Sequence, residues 1–161
     1  MNQELKPTRL QIFSFIVSMP VIDVVLNYIL YDNRFFHDGR IWLVSFPLIY
    51  LIGVGSWRSQ VGIQNWIHYK FPGLKQTSRR IVLLAVLIMP VMSLSITLIM
   101  YLNDYFSVLG YQIKPQDLQS VLLLGFAVNL IFVTLYEVDY VMERLKETMV
   151  EKESLKQQAL Q

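Results

Sequence analysis

Four segments of the chain contain almost no charged residues and approach the length of a membrane-spanning helix. They are residues 10–31, 41–57, 81–102 and 118–136. A helix needs roughly 20 apolar residues to cross about 30 Å of hydrocarbon. Charged residues make up 16% of the chain, against roughly 25% in soluble domains. The pattern predicts an all-α integral membrane protein, with a four-helix transmembrane bundle in residues 1–136 and a cytoplasmic helix in 137–161.

The basic residues are distributed unequally between the polar connections. Eleven of the 14 Lys and Arg residues lie at the N-terminus, in the 58–80 connection or in the C-terminal tail, and three lie in the other two connections. Basic residues are enriched in the cytoplasmic loops of membrane proteins. We therefore expect a multi-pass protein whose 58–80 connection and both termini are cytoplasmic.

Apolar residues within the basic connection show helical spacing. Ile63, Trp66, Ile67 and Phe71 fall on one face of a helix, and the Pro72–Gly73 pair follows them. A short helix with such a face can lie in the membrane interface with its Trp at the headgroup level. The spacing predicts a separate interfacial helix that ends at Pro72.

The tail continues the last apolar segment without any Gly or Pro, so one helix is predicted to leave the membrane and extend into water. Four apolar residues, Val138, Val141, Leu145 and Leu155, fall at heptad a and d positions. Thr148 and Lys152 occupy the same seam and weaken it. The spacing favours a parallel homodimeric coiled coil, and the alternative is a solvated helix in a monomer.

Polar residues inside the spans form the candidate site. Asp23, Asn27 and Tyr31 are spaced by four and share one helical face. An ionisable residue within a span costs ~2.5 to 3.5 kcal/mol on insertion scales and usually faces a partner or a cavity. Asp23 is then either a structural group bonded to Asn27, Tyr50 or Asn129, or part of a ligand pocket in the outer half of the bundle. In the second case a ligand that contacts both Asp23 and Asn129 is expected to move the exit helix, because Asn129 lies in the span that continues into it.

The sequence predicts no catalytic residue and no metal site. It contains no Cys, and His37 with Asp32 and Asp38 lacks a ligand spacing that requires a metal. His68 is interpreted as an interfacial residue. Topology already explains the basic connection, so we expect no nucleic-acid partner. A small transporter or channel subunit is the alternative function, although Asp23 is the only acidic residue well inside a span.

The tail carries a resemblance to a known family. The run of Tyr136–Glu137, Tyr140, 144–147, 151–153 and 155–160 resembles the membrane-exit helix of bacterial sensor histidine kinases of the LytS and YehU type, especially those of Bacteroidetes. Phe71–Pro72 with Gln76 and Arg79–Arg80 is similar to multi-span members of that group. The resemblance implies a sensor and transmission module in the bacterial inner membrane, with lipid bilayer and a second copy as partners.

The same resemblance places the kinase activity outside this chain. It implies that the phosphoacceptor His, the ATP and Mg²⁺ site and the contact with a response regulator belong to a kinase core beyond Gln161. No catalytic residue of the family has a matching position in this sequence, and no cofactor is expected within it.

The predicted topology can be tested with single cysteines in this cysteine-free chain. Because the 58–80 connection is predicted to be cytoplasmic, Gln76→Cys should resist a membrane-impermeant thiol reagent on intact cells, and Gln112→Cys should react. Labelling of both after permeabilisation is the control. Labelling of Gln76→Cys but not Gln112→Cys on intact cells would contradict the prediction.

Overall fold

Four long helices form the protein, and the described residues contain no strand. The computed structural model describes residues 6–106 and 109–159. The helices are α1 (Arg9–Tyr31), a short α2 (Arg34–His37), α3 (Gly39–Lys70), α4 (Thr77–Tyr105) and α5 (Pro115–Ala159), with a 3₁₀ turn at Leu74–Gln76. Each of the four long helices is long and apolar enough to cross a membrane. The prediction of an all-α protein with four such helices is confirmed.

Local sequence signals set several helix ends. Thr8 caps α1, since its hydroxyl accepts from the backbone N–H of Gln11 at 3.2 Å while the Gln11 side chain accepts from the Thr8 N–H. The Asp38 carboxylate accepts from the backbone N–H of Arg40 and caps α3. Pro115 opens α5, where its missing N–H costs nothing. Each boundary therefore has a local chemical cause.

The prediction of a separate interfacial helix in the basic connection is wrong. Residues 58–70 continue α3 without interruption. Ile67 is fully buried and packs with Leu84 and Ile88 of α4, and Ile63 and Phe71 lie against the same cluster. The apolar face thus covers a neighbouring helix instead of the membrane surface. Trp66, which the spacing predicts on the same face, remains exposed.

The long helices close into a ring. α1 packs against α3 and α5, and α4 packs against the same two helices. Short connections make sequential neighbours antiparallel, so the N-terminus of α1, the C-terminus of α3, the start of α4 and the exit of α5 meet at one end. We call this end, near which most of the basic residues lie, the inner end, and the opposite end the outer end.

Small residues bring the helices close together at two points. A side chain at Gly53 of α3 would collide with Met19 of α1, and a Cβ at Gly125 of α5 would lie 2.7 Å from Ile96 of α4. Gly53 therefore has the close-packing role expected of small residues in membrane helices. Gly55 meets nothing within 4 Å and plays no such role.

The outer surface of the ring is strongly apolar. Leu43, Leu51 and Leu94 are each at least 70% exposed, and large apolar side chains are exposed along all four long helices. A contiguous apolar surface of this kind is unfavourable in water. Hydrocarbon chains of lipids satisfy it, and this agrees with the span-length helices.

Candidate functional site at the inner end of the bundle

A buried arginine organises the inner end of the bundle. Arg80, in the first turns of α4, has no solvent exposure. Its five N–H donors are all used: two bonds go to Glu137, two to the backbone carbonyls of Phe71 and Gly73 at 2.8 Å, and one to the Thr77 hydroxyl at 3.0 Å. Arg80 thus ties the 71–77 connection to α5.

Glu137 receives a second partner from α3. Arg80 Nε donates to Glu137 Oε1 at 2.9 Å, and His68 Nε2 lies 2.8 Å from Glu137 Oε2. Glu137 is only 3% exposed. Burial raises the pKa of the Glu137 carboxyl, but the hydrogen bonds from His68 and Arg80 outweigh burial and hold its pKa below the ordinary value. The carboxyl is therefore the charged counterpart of Arg80.

Tyr140 covers this cluster one helical turn later. Its ring stacks on His68 with centroids 4.0 Å apart, and the Arg80 guanidinium lies 4.9 Å from its centroid. Arg144 donates to the Tyr140 hydroxyl at 3.2 Å. We call His68, Arg80, Glu137 and Tyr140 the exit cluster, because Glu137 directly follows the fourth predicted span.

A second set of polar contacts lies beside the exit cluster. Gln11 of α1 donates to Asn65 of α3 at 3.3 Å, and the Asn65 amide donates to the Lys6 carbonyl at 2.9 Å. Ser14 of α1 hydrogen-bonds with Tyr136 of α5. Every long helix is therefore hydrogen-bonded to another at the inner end.

The exit cluster is not predicted from the sequence. There Arg80 counts among the basic residues that indicate the topology, His68 is interpreted as an interfacial residue, and Glu137 enters only through the family resemblance. One signal pointed to it: the 58–80 connection has five basic residues and no acid. A basic residue of this connection that becomes buried needs an acidic partner from another part of the chain. Glu137, directly after the fourth predicted span, is such a residue.

The intramembrane polar residues separate into different environments. Asp23 and Asn27 are fully buried, and the Asn27 amide donates to Asp23 Oδ1 at 2.8 Å and to the Asp23 carbonyl at 3.0 Å. Asp23 Oδ2 and Asn27 Oδ1 have no hydrogen-bond partner among the described residues. The structure thus brings together the first two members of the predicted stripe.

The other predicted members lie elsewhere. Tyr31 donates to Asn103 of α4, Tyr50 packs near the Phe15 ring, and Asn129 donates to the carbonyl of Gly125 in its own helix. Asn129 faces the centre of the bundle together with Ile22. Asp23 follows Ile22 and is rotated from it by about 100° around α1. Its carboxylate therefore accepts from Asn27 of the same helix and not from Asn129.

The predicted heptad residues are divided between two settings. Val138 and Val141 line a groove between α4 and α5, together with Thr77 and Ile81. Leu145 and Leu155 lie farther along α5 and are 42% and 57% exposed. The continuity of α5 through Ala159 is confirmed. Dimerisation through these residues stays a prediction.

The outer connection contains the other histidine. His37 Nδ1 lies 2.9 Å from the Asn33 carbonyl, and the Asp38 carboxylate is paired with Arg40 at 2.9 Å. Hydrogen bonding from Arg40 lowers the pKa of Asp38 to about 2. Among the described residues no group of three or more His, Asp and Glu side chains is placed to hold a metal ion.

Comparisons with models of protein families, with curated proteins and with solved structures gave no match. The arrangement of the side chains is therefore the basis for the functional proposal.

Neutralising the exit cluster should strongly destabilise the bundle. Glu137→Gln keeps the shape of the side chain but leaves the Arg80 charge buried without a counter-charge. Breaking a buried ion pair from one side costs about 3–5 kcal/mol. We expect a loss of this size in the free energy of unfolding, measured by denaturant titration in detergent micelles.

Glu147→Gln is the matched control. Glu147 lies on the same helix and pairs with Arg144 at 3.0 Å, but both side chains are exposed. Exposed pairs are worth at most about 1 kcal/mol, so this variant should unfold close to the wild type. Equal effects of the two substitutions would show that the exit cluster does not stabilise the bundle.

The Asp23–Asn27 pair can be tested by removing its members singly and together. Asn27→Val leaves the buried Asp23 carboxyl without its described side-chain donor, which should cost about 1–3 kcal/mol of stability. Asp23→Val combined with Asn27→Val removes both polar groups and should recover most of that loss. Thermal unfolding in detergent measures both; a double variant as unstable as Asn27→Val would contradict the pairing.

Proposed function

We propose that this chain is the membrane sensor and transmission module of a bacterial sensor histidine kinase of the LytS and YehU type. In this proposal it lies in the inner membrane with both termini in the cytoplasm. The observation that carries the proposal is the exit cluster. It joins α3 and α4 to α5 directly after the fourth span, from which α5 continues into a long exposed helix.

The proposed mechanism is a change in the position of α5. Inside the bundle α5 packs on α1 and α4, so altered packing of these helices shifts or rotates it. Glu137 and Tyr140 then change partners at the inner end. From Glu137 to Ala159 the helix extends for roughly 33 Å at 1.5 Å per residue, and it carries the movement into the tail. A stimulus selects one state through its differential affinity for the two.

The proposed output is a homodimeric coiled coil. Beyond Met142 the apolar residues of the heptad seam, Leu145 and Leu155, have no covering partner in the described chain and are 42% and 57% exposed. Thr148 and Lys152 weaken the heptad seam, and this favours a coil with two accessible states. A kinase core joined to it would bind ATP and Mg²⁺ and phosphorylate a response regulator.

Disulfide crosslinking of single cysteines along the tail tests the dimer. In membranes, Cys at the a and d positions Leu145, Thr148 and Leu155 should crosslink efficiently, because these positions face each other across a parallel coiled coil. Cys at the f positions Glu143 and Val150 should crosslink weakly and serves as the control. Yields without heptad periodicity would contradict the dimeric coil.

A kinase chimera tests the function. Residues 1–159 would be fused in heptad register to the cytoplasmic core of a histidine kinase, and autophosphorylation would be measured in membranes. Glu137→Gln should change the basal activity severalfold, because it uncouples α5 from the inner end, whereas Glu147→Gln should leave it unchanged. Insensitivity to Glu137→Gln at equal protein levels would contradict transmission through the exit cluster.

A further inference from the structure

A cavity of about 140 Å³ lies at the centre of the ring and is lined by all four long helices. Its volume is close to that of a cavity of about 150 Å³ that accommodates benzene in another protein. Small residues leave this space open: Ser18 of α1, Ser56 of α3, Ser95 of α4 and Gly125 of α5 all face it. The exit cluster and the Asp23–Asn27 pair do not line it.

The cavity is long and narrow. Its lining extends along α1 from Phe15 to Leu26 and along α4 from Ile88 to Ile99. Eleven residues of helix correspond to roughly 16 Å at 1.5 Å per residue. A cavity of this volume distributed over such a length forms a slot, which fits a linear hydrocarbon chain better than a ring.

One end of the slot offers an unused hydrogen-bond donor. Gln64 of α3 lines the inner end of the cavity and is 2% exposed, and its Nε2 has no hydrogen-bond partner among the described residues. A buried donor without a partner is costly, and a ligand oxygen would remove that cost. Of the described lining residues none is charged, so the slot suits a neutral ligand.

We infer that this cavity is a binding site for a single hydrocarbon chain that carries a neutral hydrogen-bond acceptor, a carbonyl or hydroxyl oxygen, next to Gln64. The chain lies along the apolar slot between α1 and α4, and the oxygen accepts from Gln64 Nε2. A phospholipid acyl ester and a free single-chain alcohol, ketone or ester share this chemistry. The site is independent of the proposed signalling function, because its test measures occupancy alone.

Photolabelling in lipid nanodiscs tests the site directly. The probe is 3-azioctanol, an eight-carbon alcohol with a photoreactive diazirine, and the labelled residues are mapped by mass spectrometry. We expect labelling of cavity residues such as Trp57 in addition to lipid-facing residues such as Leu43. Excess 2-octanone should suppress labelling in the cavity more than octane does, since octane has no acceptor oxygen.

Two variants separate the cavity from the lipid surface. Val128→Phe fills the slot from α5 and should abolish labelling of the cavity while Leu43 remains labelled. Gln64→Met keeps a similar shape without the donor and should weaken cavity labelling about three- to tenfold, the effect of one neutral hydrogen bond. Circular dichroism and gel filtration verify that both variants are folded.

The outcomes divide clearly. Three kinds of result would overturn the proposal. One is cavity labelling that is unchanged in Val128→Phe or Gln64→Met. The others are equal suppression of cavity labelling by octane and 2-octanone, and labelling of lipid-facing residues alone. Stronger cavity labelling in nanodiscs of dialkyl ether lipids than in diacyl lipids would identify a phospholipid ester as the competing occupant. Equal labelling in the two lipids would assign the site to a free amphiphile.

Discussion

The ion pair between Arg80 and Glu137 is the interaction on which the inner end of this protein depends. A guanidinium without solvent contact is stable only if its charge is paired and its donors are bonded. Both conditions hold here. Glu137 pairs with the charge, and the chain turns at 71–77 so that two backbone carbonyls and a hydroxyl accept hydrogen bonds from Arg80. The path of this connection, the start of α4 and the position of α5 are therefore mutually dependent.

The bundle contains three layers with different chemistry. Hydrogen bonds and ion pairs join the helices at the inner end, an apolar cavity occupies the centre, and buried polar pairs return in the outer half at Asp23 with Asn27 and at Tyr31 with Asn103. Lipid tails are as apolar as the helix surfaces, so apolar burial discriminates weakly between arrangements of membrane helices. Close packing at Gly53 and Gly125 and the polar contacts supply the specificity.

Within this arrangement α5 has two roles along one continuous helix. Its first half is part of the ring, whereas the portion beyond Met142 extends past the bundle and exposes both its charges and its apolar residues. The exit cluster stands at the boundary between the two parts. Because a helix is stiff over this length, contacts that hold Glu137 also determine the orientation of the heptad residues that follow.

The sequence by itself determined the class of the protein and the approximate extent of α1, α4 and α5, because a run of about 20 apolar residues has few other stable environments and because the tail contains no Gly or Pro after the fourth predicted span. Local spacing also identified Asp23 and Asn27 as neighbours, since residues four apart meet on a helix. It did not reveal that residues 58–70 extend α3, because an apolar face that contacts the membrane surface and one that packs against α4 have the same helical periodicity. Only the tertiary structure brought His68, Arg80 and Glu137 together and directed Asn129 to the cavity. Those contacts join residues 57 or more positions apart, and they depend on how the helices rotate and pack, which spacing along one helix does not encode.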